Sequence, residues 1–113
     1  MAPKLKYVIV YIADMGAAVK FYRDTLGFSL RYETPHWSEF STGETTLALH
    51  PASAANQAGK VEAGLAVEDL TRFHAELTSK GVRFPMEPRK QEYGGTLAQM
   101  QDPDGTVWSV SGP

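Results

Sequence analysis

The chain has 113 residues, with 11 Lys and Arg against 13 Asp and Glu, and it contains no Cys. This length predicts a single domain, residues 1–113, and the lack of Cys excludes disulfides, thiolate zinc sites and cysteine nucleophiles. The slightly acidic balance argues against a nucleic-acid partner. The longest apolar or aromatic run, YVIVYIA, is far shorter than the ~20 residues that span a bilayer, so we expect a cytoplasmic protein without a membrane partner.

A strand followed by a capped helix opens the chain. The β-branched and aromatic residues 7–12 predict a strand, and Asp14 is placed to cap a helix over residues 15–26. Gly27 supplies the residue that ends the helix. The residues expected on the buried face of this helix are Met15, Val19, Tyr22 and Leu26.

The same pattern returns 55 positions later. Residues 63–67 form a second apolar strand, Asp69 stands where Asp14 stood, and Gly81 follows a second amphipathic helix. Each helix is followed by three short strand-like segments separated by turn residues, so each half reads as βαβββ. We therefore predict module one over residues 5–50, a mobile linker over the unpatterned residues 51–60, and module two over residues 61–111.

The repeat, the segment FYRDTLGF and the turn DPDG together resemble the vicinal oxygen chelate superfamily, the glyoxalase, bleomycin resistance protein and extradiol dioxygenase group. The resemblance covers the chain from about Tyr7 to Val110. It implies an α+β fold in which two tandem βαβββ modules form a curled, cup-shaped mixed β-sheet with helices outside and a ligand inside. Members of this group commonly pair as homodimers, and we expect a homodimer here.

Strand alternation separates residues under the helices from residues that face the cup. Val8, Leu47, Leu65 and Trp108 are predicted to lie in the helix-covered cores. The inward set is rich in aromatic and polar side chains, which is typical of a small-molecule pocket. The predicted ligand-binding residues are Tyr7, Tyr11, Trp37, Glu39, Ala48, His50, Glu62, Gln99 and Ser109.

A metal site is the next question that the resemblance raises. In metal-dependent relatives the ligands come from four positions, which correspond here to Tyr7, Ala48, Glu62 and Ser109. Only Glu62 is a good ligand for a divalent ion, so we expect no metal and no other cofactor. The alternative is a divalent metal at a relocated site made by His50, Glu39 and Glu62.

Three functions remain open. The first is a metal-free protein that binds or sequesters an aromatic or polar small molecule, as bleomycin resistance members do. The second is an enzyme of the lyase, isomerase or dioxygenase type, which would use the relocated metal or metal-free acid–base catalysis by Glu62. The third is a non-catalytic dimeric module with a vestigial pocket.

Overall fold

The computed structural model describes residues 3–113 and confirms the α+β class with two βαβββ modules. Module one contains β1 (Lys4–Ile12), α1 (Met15–Lys20), a π-helical turn (Phe21–Thr25), β2 (Ser29–Tyr32), β3 (Ser38–Ser41) and β4 (Thr46–Pro51). Module two contains β5 (Val61–Ala66), α2 (Leu70–Ser79), β6 (Arg83–Lys90), β7 (Thr96–Gln101) and β8 (Val107–Gly112). The described chain divides into two compact units, residues 6–62 and residues 3–5 with 63–113. Among residues 3–113, no helix is long and apolar enough to cross a membrane.

In module one the strands lie in the order β2-β3-β4-β1, with β1 parallel to β4 and the other pairs antiparallel. The predicted N-cap is confirmed, because Asp14 accepts a hydrogen bond from the backbone N–H of Ala17 at 3.0 Å. One face of these strands packs against α1 around the buried residues Val19, Phe40 and Leu49. Alternation therefore separates a helix-covered face from an opposite face.

The first helix ends differently from its sequence prediction. The α-helix stops at Lys20, and in the π-helical turn the N–H of Leu26 donates to the carbonyl of Phe21 at 3.1 Å. The wider turn shifts the residues that follow it out of the helical phase. Tyr22 still packs against the core, but Leu26 is 51% exposed, so its assignment to the buried face is wrong. The predicted stop is confirmed, since Gly27 adopts a φ of 81°.

Module two repeats the arrangement, with its strands in the order β5-β8-β7-β6 and with β5 parallel to β8. Asp69 caps α2 by accepting from the N–H of Arg72 at 3.0 Å, and the helix packs its Leu70 against the buried Ala98 and Val110 of the sheet. Gly112 allows this close approach, because a Cβ there would lie 3.1 Å from the Cβ of Leu70.

Two of the four predicted core residues fall outside these clusters. Leu47 and Leu65 pack in them, whereas Val8 and Trp108 are only half-buried and do not join them. Trp108 lies near the start of β8, two residues before Val110, which is the β8 residue in the buried cluster under α2.

The segment between the modules carries more structure than its composition predicts. Pro51 ends β4, and the N–H of Ala52 donates to the carbonyl of Ile12 at 2.8 Å. Further along, the N–H of Tyr11 donates to the carbonyl of Lys60, and the carbonyl of Tyr11 accepts from the N–H of Gly59, each at 2.9 Å. Residues 52–60 are thus held along the end of β1 by backbone hydrogen bonds.

Candidate functional site

The face of module one that lies opposite α1 is an aromatic surface. Ile9, Tyr11 and Ala48 are buried there, and Tyr7 and Trp37 pack against them. Val10 and Ile12 pack on the helix side, so the alternation predicted for β1 is confirmed. Ala48 is fully buried, and its small side chain leaves room for larger rings to meet above it.

Four rings on this face form a continuous row, the aromatic cluster Tyr7, Trp37, His50 and Tyr11. Tyr7 and Trp37 meet edge to face at 6.0 Å between centroids, and Trp37 meets His50 in the same way at 6.2 Å. His50 then contacts Tyr11 at 5.2 Å. These are the spacings at which aromatic pairs attract each other beyond simple burial of their area. His50 is the exposed member of the cluster, and its Nδ1 lies 2.8 Å from the carbonyl oxygen of Pro51.

Glu39 is a buried carboxylate at one side of the aromatic cluster. It is 7% exposed, and it accepts hydrogen bonds from Trp37 Nε1 at 2.8 Å and from the Tyr32 hydroxyl at 3.2 Å, both at Oε2. Its Oε1 receives Arg31 Nη1 at 2.9 Å in an ion pair. Burial, followed by the charge and hydrogen bond of Glu39, raises the pKa of Tyr32. Three donors therefore satisfy this carboxylate, as a buried charge requires.

A β-bulge explains how two consecutive residues reach the same carboxylate. Pairing between β2 and β3 is regular at Leu30 and Phe40, but the register then shifts, and Tyr32 lies opposite Glu39. In an unbroken strand Arg31 and Tyr32 would point to opposite faces. The extra residue re-aims the side chains, as bulges commonly do. Sequence reasoning did not assign Arg31 or Tyr32 to the site, and simple alternation gives no signal for such a bulge.

Glu62 is a second buried carboxylate, with 3% of its surface exposed. It lies on β5 and belongs to the compact unit of residues 6–62. The hydroxyl of Tyr11 donates a hydrogen bond to it. Burial, followed by the charge and hydrogen bond of Glu62, raises the pKa of Tyr11 from 10.0 to about 12. Lys60 Nζ lies 5.7 Å from the centroid of the Tyr11 ring and also donates to Asn56 Oδ1 at 2.6 Å.

The two remaining predicted ligand residues belong to module two. Gln99 and Ser109 are cross-strand partners on β7 and β8, and Ser109 also pairs with Gly64 on β5. Both are half-buried. Their row contains no aromatic residue, in contrast to the aromatic face of module one.

The donor set does not fit a metal ion. Of the four positions that the family resemblance assigns to ligands, Ala48 offers no donor atom and lies buried beneath the aromatic cluster. The relocated site is not formed either, because residues 3–113 contain no group of three His, Asp or Glu side chains arranged to hold an ion. Glu39 is already engaged by Arg31, Tyr32 and Trp37.

A separate depression of about 460 Å³ lies on the surface of module one. It is lined by Asp14, Met15, Gly16, Glu33, Thr34 and Pro35. None of the predicted ligand-binding residues contributes to this lining. It is therefore distinct from the aromatic face.

Comparison with known proteins places these features in a family. The family model for the "Glyoxalase/Bleomycin resistance protein/Dioxygenase superfamily" matches residues 4–110. A bleomycin resistance protein of Klebsiella pneumoniae is 30% identical over 103 residues, which cover 83% of this chain and 80% of that protein. The uncharacterized protein YetH of Bacillus subtilis is 27% identical over 117 residues, covering 96% of this chain and 97% of YetH.

Solved structures agree at the level of the fold. Methylmalonyl-CoA epimerase from Mycobacterium tuberculosis superposes with a TM-score of 0.81 at 20% identity, over 96% of this chain and 87% of the epimerase. The repeated βαβββ modules, the match over nearly the whole chain and the similarity to a bleomycin resistance protein lead to one assignment. The chain belongs to the glyoxalase/bleomycin resistance protein/dioxygenase superfamily.

Proposed function

We propose that this protein binds a planar aromatic small molecule on the aromatic face of module one, without a metal ion, and acts by sequestering it. The observation that carries the proposal is the aromatic cluster itself. Its rings are linked at 5.2–6.2 Å, and the half-buried Trp37 and exposed His50 leave ring surface accessible to a ligand. Stacking on such rings favours flat π systems.

The charges around the cluster favour binding over acid–base catalysis. Efficient general acid–base groups have a pKa near the working pH, whereas Tyr11 has a pKa of about 12. Glu39 forms an ion pair with Arg31 at 2.9 Å and accepts further hydrogen bonds from Tyr32 and Trp37. Tyr11 is therefore poorly matched to proton transfer near neutral pH.

The similarity to a bleomycin resistance protein supports the choice of first probe, metal-free bleomycin. The two tryptophans make the test direct, because Trp37 lies in the aromatic cluster and Trp108 lies on β8. In a Trp108→Phe variant, only Trp37 emits. We expect saturable quenching of this emission by the probe and by smaller planar heteroaromatic compounds.

A Trp37→Phe variant, in which only Trp108 emits, is the matched control and should show a much smaller change. A non-aromatic polyamine added to the Trp108→Phe variant checks that charge alone does not quench Trp37. If the emission of Trp37 is unchanged up to about 100 μM of every planar probe, binding is weaker than about −5.5 kcal/mol and the proposal fails.

A further inference from the structure

We propose that Glu39 is a positioning residue for the ligand-facing indole of Trp37, and that its occupied carboxylate restricts the site to ligands that stack. This inference rests on the proposed function. Glu39 is 7% exposed and accepts from Trp37 Nε1 at 2.8 Å. The same carboxylate is held in turn by Arg31 at 2.9 Å and Tyr32 at 3.2 Å.

The hydrogen bond fixes the plane of the indole. A ring anchored at Nε1 and in edge-to-face contact with Tyr7 at 74° and with His50 at 83° has little freedom to rotate. Pre-organisation of this kind raises affinity, because the side chain loses less conformational freedom when the ligand binds. The Arg31 bulge contributes by bringing both Arg31 and Tyr32 onto the carboxylate.

The same hydrogen bond determines what Trp37 can offer to a ligand. Indole has a single donor, and that donor is already used by Glu39. Trp37 can therefore contact a ligand only through its ring surface. Glu39 accepts hydrogen bonds from three donors and its charge is balanced by Arg31, so the carboxylate itself does not select for a cation. The specificity of this part of the face is for a planar π system, whatever charge the ligand carries elsewhere.

The test compares two substitutions at Glu39 in the Trp108→Phe background. Glu39→Leu removes the acceptor, whereas Glu39→Gln keeps one carbonyl acceptor for the indole and removes the charge. Glu44→Leu is the matched control, because Glu44 is an exposed carboxylate in the turn between β3 and β4 of the same module. Thermal melts establish whether each variant is folded. If Glu39→Leu does not fold, the comparison of Glu39→Gln with the parent still tests the proposal.

Two readouts are taken on each variant: solvent exchange of the Trp37 indole N–H by NMR, and affinity for metal-free bleomycin by Trp37 quenching. We expect a protected N–H in the parent and in Glu39→Gln, with affinities within about threefold of each other. Glu39→Leu should exchange rapidly and lose up to about tenfold in affinity, because the ligand must then immobilise an indole that is no longer fixed in place. Glu44→Leu should match the parent.

The outcomes separate the two proposals. An N–H in the parent that exchanges as fast as a free indole overturns the positioning role even if the probe binds. An affinity that falls equally in Glu39→Gln and Glu39→Leu also overturns the positioning role, because the loss would then come from the charge of Glu39 and not from its hydrogen bond to Trp37. If no planar probe binds the parent although the N–H is protected through Glu39, the proposed function fails and with it the ligand specificity inferred for Trp37.

Discussion

Replacing Tyr11 with Phe tests the contact between the aromatic cluster and Glu62 without reference to any ligand. The substitution keeps the ring and removes the hydroxyl that donates to the buried carboxylate of Glu62. Loss of a hydrogen bond to a charged and buried acceptor costs about 1–3 kcal/mol near neutral pH. We expect the variant to fold and to be less stable by an amount in this range.

The sharper consequence is in the alkaline range. The pKa of Tyr11 is about 12 in the folded protein and 10.0 in the ordinary, unfolded environment. Because this pKa is raised on folding, the contribution of the Tyr11 hydroxyl to the stability of the folded protein is complete below about pH 10. It is lost as the pH rises toward 12, because Tyr11 loses its proton at a lower pH in the unfolded chain than in the folded protein. At pH 11, which lies between the unfolded and folded pKa values, the loss is on the order of 1 kcal/mol.

The assay is urea unfolding of the parent and of Tyr11→Phe at pH 8 and at pH 11. Other groups that titrate in this range cancel when the two proteins are compared at each pH. The stability advantage of the parent over the variant should therefore shrink by an amount on the order of 1 kcal/mol between the two pH values. Tyr93→Phe, at a ring that is 77% exposed, is the control and should show no such change. An advantage that stays constant or grows at pH 11 would refute the Tyr11–Glu62 contact.

Three further predictions concern packing, metal and assembly. Leu49→Ala should lower the free energy of unfolding by about 2–5 kcal/mol, because Leu49 is fully buried. Leu26→Ala should lower it by less than about 1 kcal/mol, because Leu26 is 51% exposed. Equal costs by urea unfolding would contradict the π-helical turn. Added Ni²⁺, Co²⁺, Mn²⁺, Zn²⁺ or Mg²⁺ should leave the melting temperature unchanged, and a rise of several degrees that His50→Ala abolishes would restore the relocated metal site. We expect a homodimer, because the apolar side chains of Leu5 and Val61 are 51% and 59% exposed and a partner chain can cover them. Light scattering that gives the 12.4 kDa mass of one chain at micromolar concentration would contradict the homodimer.

The elements of the fold were predictable because local chemistry and long-range pattern agree. Asp14 and Asp69 cap their helices as the sequence predicts, and Gly27 and Gly81 adopt the positive φ values expected of helix stops. The π-helical turn was not predictable from the apolar spacing, because that spacing assumes 3.6 residues per turn throughout. Leu26 shows the effect, since a single wider turn moves it from the expected core to the surface.

The candidate site was predictable only to the extent that strand alternation holds. Tyr7, Tyr11, Trp37 and Ala48 lie together on the face opposite α1, where alternation puts them. The partners of Glu39 were not predictable, because a bulge at Arg31 breaks the alternation of β2. A hydrogen-bonded carboxylate also looks the same in sequence as one that is available to a metal. Only the positions of the donors Arg31, Tyr32 and Trp37 distinguish the two.

The internal repeat shows how one architecture supports different chemistry in its two copies. In module one the central row across the strands is Ile9, Ala48 and Glu39, and in module two the corresponding row is Gly64, Ser109 and Gln99. In the first row the small Ala48 lies between the bulky Ile9 and the charged Glu39. Neighbouring rings can therefore pack over Ala48, and Glu39 anchors the indole of Trp37. The second row carries no charge and no bulky apolar residue. Because the central strand pairs match in the two modules, the fold is preserved whichever side chains occupy the row. The aromatic site of module one arises from side chains that module two does not repeat, the four rings of the aromatic cluster and Glu39.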